Sequence, residues 1–185
     1  MKKIFKFPHL SPRDLCAAAM LMAITAILAI YCTFRIGNTI KIPIKFISVF
    51  ISAVLFGPWI GGLCGAVGDI LNAVLMPVGP FLPQLTCLEF LSGFVFGVFF
   101  YNRKTRGVSY ILRALGAAAA MFLIDMLLST AVLVNAGYFP SFKTAFVFRI
   151  WAGVIKAGLQ LAFMLVSSSY LELLIKHGRG INRAK

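Results

Sequence analysis

Histidine is nearly missing from this chain: there are two in 185 residues, His9 and His177, and both stand in the flanks outside the apolar runs. No H-E-x-x-H is therefore possible, and none of the four cysteines (Cys16, Cys32, Cys64, Cys87) has a C-x-x-C partner or a nearby His. The usual metal sites are excluded, and the cysteines are expected to act as packing residues. A G-x-x-x-x-G-K-[ST] phosphate loop is also lacking, so the chain has no nucleotide-hydrolysing motif of its own. A serine nucleophile would need a base that the apolar runs do not supply, which argues against a hydrolase inside the membrane. No catalytic residue, metal or cofactor is expected.

What is present is apolar residue. Sixty-one per cent of the chain is hydrophobic and its mean hydropathy is +0.94, far above the share in an ordinary soluble domain. A membrane helix takes about 20 apolar residues, and after subtracting loops the length accommodates roughly six. The reading is an all-α membrane protein, a single membrane-embedded bundle over residues 1–185. Predicted spans are Leu15–Phe34, Phe46–Phe56, the run from the "GPWIGG" turn to Met76, Gln84–Tyr101, Tyr110–Val134 and Ala145–Ile175. The first apolar run begins after Arg13 without a small-residue cleavage site, so it is expected to stay as the first helix.

The formal charge of +13 follows from topology. Twelve of the basic residues fall in the N-terminal lead, in the loop after the fourth span with its margin, and in the tail; these three segments share a side if six helices alternate. Only Arg35, Lys41, Lys45 and Lys143 lie on the other side. The positive-inside rule then places both termini in the cytoplasm, and no nucleic acid partner is required.

Polar residues inside the spans fall on stripes of helical spacing. Gly61, Gly65, Asp69, Asn72 and Met76 share one face; Leu85, Glu89, Gly93 and Gly97 share another; Arg149, Gly153, Lys156 and Gln160 share a third. Charged groups at membrane depth turn away from lipid, and small residues let helices approach closely, so the three faces are expected to meet. The glycines read as close-packing positions. At 1.5 Å per residue, Asp125 lies about 22 Å along the fifth span and hence in the outer half, with Asp69, Asn72, Glu89, Arg149 and Lys156 at related depths. Asp125 suits an ion pair with Arg149 or Lys156. The arrangement predicts a pocket open to the outside. Arg35, Lys41, Lys45 and Arg149 at its mouth would attract carboxylates. Phe81 and Trp151 would offer flat aromatic faces, and Glu89 would repel an anion unless paired.

The stretch "FGPWIGGLCGAVGDILNAVLMPVGPFLP", preceded by "IKIPIKFISV", resembles the substrate-binding S component of an energy-coupling factor (ECF) vitamin transporter, and within that group the folate family. The likeness is carried by residues 41–101, while size and topology agree over the whole chain. It implies a bacterial plasma membrane location and a vitamin pocket near the extracellular side. It also implies a transmembrane coupling subunit and two ABC ATPases that supply the energy. Ala19 and Ala23, in "AAAMLMA", match the family's A-x-x-x-A docking motif, and Lys156 matches the lysine of its helix-six motif, where Gly153 takes the arginine's place. Ligand contact is expected from Arg35, Lys41, Lys45, Asp69, Asn72, Phe81, Gln84, Glu89, Arg149, Trp151 and Lys156. A different vitamin or precursor, or a membrane protein without a transport role, stay open as alternatives at this point.

Overall fold

The structure is a computed structural model that describes residues 11–31, 33–36, 40–75, 81–103, 107–137 and 141–182. Six helices lie among these residues: α1 (Pro12–Tyr31), α2 (Phe46–Phe56), α3 (Pro58–Leu75), α4 (Pro83–Phe100), α5 (Val108–Asn135) and α6 (Phe142–Asn182). All but α2 are long and apolar enough to cross a bilayer, α6 through its Phe142–Ser168 portion. Cys32, Met76 and most of the basic N-terminal lead lie outside the described residues.

The first span ends earlier than its apolar run. Thr33–Ile36 and Ile40–Pro43 form strands β1 and β2 of an antiparallel hairpin in which Arg35 stands opposite Lys41. Outside the membrane core, a T-F-R-I and I-K-I-P alternation of bulky and polar residues satisfies its backbone by cross-strand pairing instead of continuing a helix.

At 11 residues α2 is only about 16 Å long, yet it is the centre of the molecule. Ser48, Val49, Phe50, Ser52, Ala53 and Val54 are all buried. Phe50 meets Phe96, Phe100 and Phe163 edge-on at 5.5, 5.1 and 6.1 Å, a favoured arrangement for aromatic quadrupoles. The polar atoms carried into this core are answered locally. Ser48 donates to the Leu21 carbonyl at 3.0 Å, and the Thr25 hydroxyl lies 2.9 Å from Ser48 Oγ and 3.0 Å from Cys64 Sγ. Cys64 is thus a packing residue, whereas Cys16 and Cys87 are exposed.

The turn expected over "GPWIGG" is confined to Gly57. Its φ of +97° is a conformation glycine adopts without a Cβ penalty, and Pro58 opens α3 directly, since the first helical position needs no N–H. The glycine stripes of α3 and α4 then interlock. A Cβ on Gly93 would stand 2.1 Å from the Gly61 carbonyl oxygen, and one on Gly97 would stand 2.3 Å from Pro58 Cα. These helices touch backbone to backbone, as small residues permit. Exposed Met20, Ile24, Ile27, Leu112, Leu123, Val154 and Val166 form the outer, lipid-facing surface.

Candidate functional site

Helix α2 starts immediately after Lys45, and α3 and α4 pass beside that start. The Lys45 ammonium is 3.1 Å from Glu89 Oε1 and 3.6 Å from Asp69 Oδ1, while Thr86 donates to Asp69 Oδ2 at 2.8 Å. Thr86 and Glu89 are three residues apart and so share a face of α4. Lys45 is 5% exposed. This corrects the expectation that Lys45 is a free cation at the mouth: it is interred between two carboxylates, because a buried ammonium is tolerated only when paired. Glu89 is paired as its depth demanded. One cation against two carboxylates leaves this group with a net negative charge.

The second group is built on α5 and α6. Asp125 receives Lys156 Nζ at 3.2 Å on Oδ2 and faces Arg149 Nη2 at 3.6 Å across Oδ1. Arg149 Nη2 also donates to Ser129 Oγ at 3.0 Å. Asp125 and Ser129 both lie in a π-helical stretch of α5, Ile124–Ser129. Such a stretch inserts extra backbone into the helical turn and occurs frequently at functional sites. Across from it, Gly153 makes room for Met126, whose methyl would lie 2.5 Å from a Cβ there. Two cations against one carboxylate leave a net positive charge. In addition, Arg149 Nη1 is buried without a hydrogen-bond partner among the described residues, a costly state for a charged donor in a protein interior.

The sequence implied one convergence of three polar faces, but the structure divides them. The α3 and α4 stripes face each other around Lys45, whereas the α6 stripe packs on the π-helical stretch of α5. The two groups remain neighbours, because α4 also packs against that stretch and α2 and β2 pack against α6. Counting along the helices at about 1.5 Å per residue, Glu89 lies roughly 9 Å below the outer end of α4, and Asp125 roughly 25 Å above the inner end of α5. Both are in the outer half.

The remaining predicted residues divide likewise. Asn72 is half-buried on the α3 stripe, and Gln84 and Phe81 are exposed at the outer end of α4. Trp151 is a correction: it is 74% exposed, on the same outward face as Val147, Val154 and Ile155, because two residues of helix turn it away from Arg149. It faces lipid and is not brought to either group. The side chains of Arg35 and Lys41 lie outside the described residues; their backbones pair across the hairpin. Thr86 and Ser129 were missed. Thr86 carried a signal in its spacing to Glu89, and Ser129 in its spacing of four from Asp125, although the π-helical winding itself has no such mark.

The model of the family described as "ECF transporter, substrate-specific component" matches residues 13–171. Two curated relatives are named folate transporter FolT. That of Clostridium novyi (strain NT) is 36% identical over 87 residues, 47% of this chain and 50% of its own length. That of Streptococcus mutans serotype c is 26% identical over 174 residues, covering 93% of this chain and 94% of the relative. Among solved structures, one described as FolT bound with folic acid superposes with a TM-score of 0.71 at 22% identity, over 87% of this chain and 93% of that one; at that identity the likeness establishes the fold. A multi-pass helical membrane bundle whose polar side chains gather between its helices, matched to the family model over most of its length, belongs to the ECF transporter substrate-specific components, which are transport subunits and not enzymes.

Proposed function

We propose that this chain captures folate from the extracellular side for ATP-driven import. The observation that carries the reading is the surplus of positive charge in the outer half of α5 and α6, where Arg149 and Lys156 share one carboxylate and Arg149 Nη1 lacks a partner among the described residues. Folate ends in a glutamate with two carboxylates, and a carboxylate accepting from a guanidinium and an ammonium makes charge-assisted hydrogen bonds. The names of both curated relatives point to the same vitamin. The test is mass spectrometry of small molecules released from the purified protein, joined to calorimetric titration with folic acid. Folate is expected in the released fraction. Retention of a different vitamin, with no heat on adding folic acid, would reject folate.

Uptake requires energy from outside this chain, and the proposed partners are a membrane coupling subunit and two ABC ATPases. Support comes from α1. Its buried face is Ala18, Thr25, Ala26 and Ala29, while Ala19 and Ala23 are exposed one turn apart on another face. That placement leaves a flat strip on which a second protein's helix can pack closely, which supports docking over purely internal contacts. Ala19→Trp and Ala23→Trp are expected to keep ligand affinity in the isolated protein and to lose uptake in the assembled transporter. Joint loss of binding and uptake would reject the docking role.

A further inference from the structure

The negatively charged group has so far been given no role toward a ligand. Its members are not equivalent. Both oxygens of Asp69 are engaged, Oδ1 by Lys45 and Oδ2 by Thr86. Lys45 meets Glu89 through Oε1, and Oε2 has no partner among the described residues. The Glu89 side chain also keeps 30% of its accessibility, against 7% for Lys45. That accessible surface does not open to lipid. Glu89 shares its α4 face with Gly93 and Gly97, which touch α3, and its own carbonyl oxygen would lie 2.6 Å from a Cβ on Gly65. The carboxylate therefore opens into the space between the helices.

We propose that Glu89, held by Lys45, is the residue that selects the ring end of the ligand. Its carboxylate accepts the donor edge of a 2-amino-4-oxo heterocycle, while the ligand's own carboxylates lie at Arg149 and Lys156. The proposal rests on the folate reading above and adds an orientation to it. The two groups have opposite net charge and stand on elements packed against each other. The ligand that complements both is donor-rich at one end and anionic at the other. A carboxylate next to a 2-amino group and a ring N–H forms two parallel hydrogen bonds, one of them open to each oxygen once the ring displaces part of the lysine contact. Lys45 is too deeply buried to serve the ligand's acid end, and its contact with Oε1 holds the Glu89 side chain in place. Placed the other way round, the ligand's carboxylates would stand against two acids, and like charges at close range in a low-dielectric interior repel strongly.

The experiment is calorimetric titration of the purified full chain with two probes: folic acid, and p-aminobenzoyl-glutamate, which has the same acidic end and no pteridine ring. Glu89→Gln is expected to weaken folic acid by roughly tenfold or more, and to leave p-aminobenzoyl-glutamate within about twofold, since ordinary changes away from a contact are that small. Lys156→Met is expected to weaken both probes. Equal weakening of both probes by Glu89→Gln, or full affinity for folic acid, overturns the orientation. Should Glu89→Gln not yield folded protein, Glu89→Asp is read in its place by the same criterion, because it keeps the charge for Lys45 and withdraws the carboxylate from the ring. A wild-type protein that binds neither probe overturns the folate reading, and the orientation with it; wild-type binding with equal losses overturns the orientation alone.

Discussion

The two charged groups sit in helix pairs held together by different means. Helices α3 and α4 meet backbone to backbone through Gly61, Gly65, Gly93 and Gly97, and the group they carry has Lys45 enclosed by acids on two sides. Helices α5 and α6 meet through side chains such as Met126 against Gly153. Their group hangs on a π-helical stretch and leaves a buried guanidinium nitrogen unanswered among the described residues. Glycine contacts are stiff, because no side chain is available to give way, whereas methionine is unbranched and adapts. The difference separates a rigid wall from a wall able to rearrange around a ligand. It is the second wall, with unmet charge, that gains most from an arriving anion.

The comparison can be broken most severely at the rigid wall. Gly93→Leu forces a side chain onto the Gly61 carbonyl and must part α3 from α4, so no monodisperse protein is expected on size-exclusion chromatography. Gly158→Leu on α6 adds a Cβ where nothing lies within 4 Å, and that variant is expected to purify as wild type. Failure of both would mean that stiffness does not distinguish the pairs.

Removal of one acid from each group comes next. Asp125→Asn leaves Arg149 and Lys156 facing each other with no carboxylate between them, and loss of a partner from a buried pair costs about 3–5 kcal/mol. Asp69→Asn costs less, because Glu89 still holds Lys45. Thermal unfolding followed by intrinsic fluorescence in detergent should show the larger fall for Asp125→Asn, and folic acid should restore more of it. Equal falls would erase the distinction between the groups.

Lys156→Met sharpens the comparison on the ligand side. A hydrogen bond to a charged group contributes about 1.5–3 kcal/mol, so folic acid affinity is expected to drop roughly tenfold to a hundredfold in a titration. The smallest effect belongs to Trp151→Ala. With its ring on the lipid face, folic acid affinity is expected to shift by no more than about 0.5 kcal/mol. A larger loss would return Trp151 to the pocket.

Much of this was legible in the sequence, for a definite reason. Lipid cannot hydrogen-bond the backbone, so a chain this apolar must be helical inside the membrane, and the 3.6-residue period then assigns Asp69, Glu89, Arg149 and Lys156 to interior faces. Even the outer-half depth follows from counting residues. What periodicity cannot state is which interior face meets which. Trp151 was misassigned for a related reason: a residue shares the face of Arg149 only at a spacing of three or four, whereas a spacing of two turns it about 200° around the helix.

The sequence by itself thus determined the membrane bundle, the close-packing glycines and the set of polar residues kept from lipid. Each depends on local composition or helical period, and none requires knowing a distant neighbour. Tertiary structure alone decided that Lys45 is enclosed by Asp69 and Glu89, that Asp125 takes both Arg149 and Lys156, and that the polar residues form two groups of opposite charge. Those outcomes depend on how residues tens of positions apart are brought within about 4 Å. Ion pairing is a property of distance in space, and the period of a helix fixes only direction about its own axis.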